Sequence, residues 1–199
     1  MRGLALLVTS MTFFIAAPAA FGQASADTSG GTGAPDTTPS GGAAFGVDPA
    51  APPRSYVAGT VAKRVPGGYA AAPTAAPVAV QEAIFAANEI VGRPYVYGGG
   101  HASFDSDGYD CSGTVSYLLH GGNWLASPLP SGNLMRWGAS GSGRWVTVYA
   151  NGGHTWVKIA GLRLDTSSAG ERVSSGDGPR WRKNLRGGSG FVRRHPLGF

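Results

Sequence analysis

Downstream of residue 79 the apolar positions fall into two helical patterns and then three alternating ones. In 79–91, Ala83, Phe85, Ala86 and Ile90 can share one face, with Gln81, Glu82, Asn88 and Glu89 turned to water. Gly92 stops this helix and Pro94 prevents its continuation. Tyr95, Val96 and Tyr97 then run extended into Gly98, Gly99 and Gly100. A second helix is expected to begin at 110–112 and to end near Gly121 and Gly122, with Val115, Leu118 and Leu119 at core spacing. Residues 123–144, rich in Pro, Gly and Ser, read as a surface excursion anchored by Trp124, Leu129, Leu134, Met135 and Trp137. The period then changes to two. Stretches 145–149, 154–160 and 162–165 read as strands, separated by Asn151-Gly152-Gly153 and by Gly161, both suited to tight antiparallel turns. A last strand is expected at 191–194. The order predicts an α+β domain over 79–199, with N-terminal helices packed on an antiparallel sheet.

Upstream the pattern fails. Residues 1–26 read as an export signal: Arg2 supplies a positive start, 4–8 and 11–17 are apolar, and A-x-A patterns occur at Ala17-Pro18-Ala19 and Ala24-Ser25-Ala26. Residues 27–78, dominated by Gly, Pro, Ala, Ser and Thr, are expected to form a disordered linker. Within it, 56–65 has the composition of one short strand laid against the domain. The expected location is outside the cytoplasmic membrane, secreted or in the cell envelope.

Composition narrows the chemistry. The 199 residues carry a formal net charge of +5, yet only 14% are charged and 33 are glycine, unlike a nucleic-acid binder. Much of the basic excess lies in 170–199, where seven Arg and Lys face Glu171 and Asp177. That region suits anionic envelope polymers better than nucleic acid. One cysteine excludes an internal disulfide framework and a Cys-rich zinc site. The acidic run FDSDGYD lacks a calcium loop's pattern, since its twelfth position is Ser116 rather than Glu. No metal and no cofactor is expected, and the protein is read as a monomer.

The lone cysteine, Cys111, stands at the start of the second helix. Unpaired amide N–H groups and the helix dipole stabilise an anion there, which suits a nucleophilic thiolate, and the same amides can hold an oxyanion. A base is needed. Of four histidines, His101 falls in a loop, His120 near a helix end and His195 in the tail, whereas His154 opens a strand directly after a glycine turn. Asp165, eleven positions on, can return beside His154 through a hairpin at Gly161 and orient its second nitrogen.

GRPYVYGG, then DCSG, then GHTWVKIAG resemble the motifs of the NlpC-like cysteine peptidases, bacterial cell-wall endopeptidases with a papain-like core. The resemblance covers about residues 79–170. It implies a papain-like fold, Cys111 as nucleophile, His154 as base and Asp165 as the third polar residue. By the same likeness Tyr95 stands near the thiolate, and Asp110 and Ser112 help to receive the free amine of a muropeptide. The implied substrates are peptidoglycan stem peptides. Two features depart from the family pattern: GSGRWVTVYANGG replaces the usual PGD-type turn, and Asp165 stands where His, Asn or Gln is common. Two alternatives therefore stay open, an inactive papain-like module that binds or organises the envelope, and an amidase or acyltransferase acting on another group.

Overall fold

The computed structural model describes residues 52–171, 177–182 and 186–199, so the expected export signal and residues 27–51 of the expected linker lie outside it. The described residues form an α+β domain. In chain order they give β1 (Tyr56–Val57), β2 (Lys63–Arg64), a helical turn at Pro66–Gly68, β3 (Ala70–Pro73), α1 (Val78–Ile90), α2 (Cys111–Gly121) and α3 (Ser131–Leu134). There follow β4 (Ala139–Ser140), β5 (Val146–Ala150), β6 (Thr155–Ile159), β7 (Leu162–Asp165), β8 (Arg180–Arg182) and β9 (Val192–His195).

The larger sheet is antiparallel throughout, in the order β4-β9-β5-β6-β7-β8. Its strand alternation sorts the side chains. Val146, Val148, Val157, Ile159, Leu164 and Trp181 join the core beneath the helices, and α2 packs on β6 and β7. Tyr149 stacks on Trp156 on the opposite face, ring centroids 3.9 Å apart. Ala160 and Gly161 join β6 to β7 with φ of 44° and 87°, the left-handed pair that a two-residue hairpin turn requires.

The expected linker is folded where it is described. β3 is buried along its whole length between a parallel β1 and an antiparallel β2, and it packs on α1. Ala62 also donates its N–H to the Ala160 carbonyl at the β6–β7 turn. Composition misled here because alanines fit a close-packed strand as readily as a tether. The same strand explains the one misassigned position on α1. Asn88, expected to face water, is 2% exposed. Its Oδ1 accepts from the Ala70 N–H and from Trp181 Nε1, at 2.9 and 2.8 Å, and its Nδ2 donates to the Ala70 carbonyl at 2.9 Å. One amide thus joins β3, α1 and β8.

The one short strand expected over 56–65 is instead two two-residue strands, β1 and β2, on either side of β3; the helices and strands expected after residue 79 form with small shifts. Both helices form, β5, β6 and β7 fall on the stretches with period-two patterning, and β9 falls on the last expected strand. β8 and the short α3 and β4 are additions. No described helix is long and apolar enough to cross a membrane.

Candidate active site

α2 begins on Cys111, and its cap is built by the residue before. Asp110 has extended φ/ψ of −86° and −174°, and its Oδ1 accepts from the Gly113 N–H at 2.8 Å. Its Oδ2 accepts from the Gly98 N–H at 3.1 Å, while its own N–H donates to the Gly99 carbonyl at 3.2 Å. The glycine approach therefore wraps the helix start. A Cβ on Gly113 would collide with the Gly99 carbonyl oxygen, and one on Gly99 with the Gly108 carbonyl oxygen, which explains why bare backbone occupies both places. Cys111 is 9% exposed at this junction.

His154 is fixed by the turn before β6. Asn151 Oδ1 accepts from the N–H groups of Gly153 and His154 at 3.0 and 2.8 Å, and the Asn151 N–H donates to the His154 carbonyl at 2.9 Å. The ring sets Nε2 2.9 Å from Asp165 Oδ1. That contact leaves Nδ1 as the nitrogen free for Cys111. Burial works against charging the ring, but hydrogen bonding to Asp165 and to Cys111, together with their negative charge, outweighs it and raises the His154 pKa to about 9. The sequence-predicted trio of Cys111, His154 and Asp165 is brought together.

A sign follows for stability. The folded imidazole holds its proton more tightly than the ordinary ring, whose pKa is 6.5. Its contribution is fully present below that value and is lost as pH rises through about 9. The thermal midpoint should be lower near pH 10 than near pH 6, and His154→Gln should remove much of that difference; calorimetry at the two pH values checks both.

Asp165 is held from behind. It is 1% exposed; its Oδ1 also accepts from the Ser167 N–H at 2.9 Å, and its Oδ2 faces Arg186 Nη1 at 3.3 Å and Arg163 Nε at 3.5 Å. Arg163, two positions earlier on β7 and fully buried, ties the following turn by donating to the Ala169 and Ser167 carbonyls. Arg182, its partner in register on β8, donates from Nε to the Asp165 carbonyl at 2.9 Å. Sequence alone puts Arg182 and Arg186 in a basic tail and Arg163 only within an expected strand. The signal for Arg163 was its spacing from Asp165, since alternate strand positions share a face. With Arg182 buried and Arg186 on Asp165, only part of that basic charge faces outward.

Tyr95 lines an open cleft with His154, Thr166, Ser167 and Asp177. Burial, and then the negative charge of Cys111 and Asp110, push its hydroxyl pKa up, so the group stays protonated and able to donate. Asp110 and Ser112, by contrast, are 4% and 3% exposed and are engaged by their own chain. His101 Nε2 lies 2.8 Å from Ser112 Oγ and 3.0 Å from Asp110 Oδ1, while Ser112 Oγ is 3.1 Å from the same carboxylate oxygen. Sequence reasoning left His101 in a loop; the structure seats it over both residues. Among the described residues no three His, Cys, Asp or Glu side chains gather as a metal site would need.

No protein-family model matches the chain, and no curated protein matches it.

Proposed function

We propose that the chain is a cysteine peptidase of the NlpC-like type, built on a papain-like core, that hydrolyses amide bonds in peptidoglycan stem peptides outside the cytoplasmic membrane. The observation that carries this reading is the ordered trio itself: a helix-start cysteine, an imidazole beside it, and a buried carboxylate 2.9 Å from the imidazole's far nitrogen. The open cleft beside His154 favours catalysis over an inactive binding module, whose groove would be filled or whose pair would be displaced.

In this mechanism His154 takes the Cys111 proton, or the pair rests as thiolate and imidazolium. Sulfur attacks the amide carbonyl, forming the C–S bond as the carbonyl π pair moves onto oxygen. Amide N–H groups at the start of α2, with the Tyr95 hydroxyl, hold that oxyanion. The imidazolium then protonates the departing amine as the C–N bond breaks. Water adds to the thioester with His154 as base, releasing the acid and regenerating the thiol. The exposed part of the basic C-terminal region would hold the enzyme near anionic envelope polymers.

A second reading keeps the trio but assigns it another amide or acyl group, as in an amidase or acyltransferase. What favours it is His101, which occupies Asp110 and Ser112, the positions that by resemblance receive a free amine. One experiment separates the readings. Purified peptidoglycan is incubated with the wild-type protein and with Cys111→Ala, and the muropeptides are identified by mass spectrometry. New stem-peptide fragments that have gained water, with wild type alone, support hydrolysis. Products carrying a transferred acyl group support the second reading. Equal fragments from Cys111→Ala would sink both.

A further inference from the structure

Three guanidinium groups surround Asp165, and they do different things. Arg182 Nε bonds the backbone carbonyl rather than the carboxylate. Arg163 brings charge, but its Nε makes no hydrogen bond, and its other nitrogens are spent on the 166–171 turn. Among the described side chains only Arg186 hydrogen-bonds Oδ2, at 3.3 Å. Its guanidinium also lies over the Phe191 ring, 5.2 Å from the centroid. Phe191 in turn meets His154 edge to face, centroids 6.3 Å apart at 74°. Arg186 therefore touches both neighbours that fix the imidazole from its far side.

We propose that Arg186 is a positioning residue of the site: by clamping the outer oxygen of Asp165 and the Phe191 ring, it orients the carboxylate toward His154 and sets how tightly the imidazole holds its proton. The electrostatics follow from the geometry. His154 is faced by Cys111 from α2, Asp165 from β7, Tyr95 from the segment ahead of the 97–100 turn and Asp177 across the cleft. Around Asp165 stand Arg163 and Arg186, with Arg180 opposite it in register on β8. A positive charge on Oδ2 draws on the same carboxylate that stabilises the imidazolium through Oδ1. Arg186 thus tempers the pull of Asp165, which keeps the imidazolium proton available to a leaving amine. Arg186 is the accessible member of the set, its side chain 21% exposed, whereas those of Arg163 and Asp165 are fully buried.

This inference rests on reading Cys111 and His154 as the working pair, but its test needs no substrate, so its failure and that of the peptidase reading are separate results. Histidine labelled at the ring carbon is titrated by NMR in the full-length protein, with the His154 signal assigned by its loss in His154→Gln. The wild-type midpoint is expected at about 9. Arg186→Gln should move it upward by about half a pH unit, since a positive charge is removed from beside the pair. Arg186→Lys, which keeps the charge, should restore the wild-type midpoint. An unchanged or lowered midpoint in Arg186→Gln, or an equal rise in Arg186→Lys, would overturn the proposal. Should Arg186→Gln not fold, Arg186→Met, which keeps an aliphatic stem over Phe191, is expected to show the same rise. Failure of both to fold while Arg186→Lys folds assigns a purely structural role and overturns it too.

Discussion

His154→Gln is expected to lower turnover of a synthetic stem peptide by about a thousandfold or more, with a much smaller change in KM. Glutamine keeps a polar side chain near Asp165 but cannot accept the thiol proton at neutral pH or return one to the leaving amine. No other histidine can substitute. His120 stacks on Phe104 at 3.9 Å with Nδ1 at the Leu125 carbonyl, His195 turns Nδ1 to Gly141, and His101 is engaged with Asp110 and Ser112. Chromatographic assay of the released peptide decides the matter. Activity within tenfold of wild type would remove His154 from the mechanism and with it the role of Asp165. Slower alkylation of Cys111 by iodoacetamide at neutral pH should accompany the loss, because the base proposed to take the thiol proton is gone.

The second large effect lies away from the cleft. Asn88→Leu keeps the branching and the number of side-chain heavy atoms and raises helix propensity, so an ordinary surface position would tolerate it. Here it strands the Ala70 N–H, the Ala70 carbonyl and Trp181 Nε1 in a buried site. Each orphaned buried group costs about 1–3 kcal/mol, so for three groups a loss of about 3–9 kcal/mol is expected, against a total of about 5–15 for a domain of ordinary stability. Urea unfolding of the two proteins measures it. A loss under about 1 kcal/mol would mean that the three groups find other partners or water.

What was legible in the sequence follows how local each signal is. α1, α2, β5, β6 and β7 announce themselves by period, and the turns between those strands by Asn151-Gly152-Gly153 and Gly161. Cys111 and His154 were legible as candidates because each carries its own context, a helix start for Cys111 and a glycine turn for His154. Asn88 was not, since an amide at a boundary of the apolar face looks solvated until β3 arrives to meet it. β3 itself was hidden because Ala-Ala-Ala-Pro has neither strong propensity nor alternation. Of the arginines behind Asp165, Arg182 and Arg186 were grouped with the tail because the count of basic residues there suggested a surface field. Burial and pairing with carbonyls, which no count reveals, turn Arg163 and Arg182 into framework. Asp110 and Ser112 were found by resemblance, but their occupation by His101 depends on how the 98–101 turn folds back.

The segment before α1 alters how the domain's boundaries can be drawn. A cut at residue 79, where the composition changes, would detach β3 and the two strands that flank it, uncover α1, and leave Asn88 and Trp181 facing a vacated slot. Any protease that trims the N-terminal region while sparing the fold must therefore act ahead of β1. What looks like a leash in one dimension is, in three, a wall of the house.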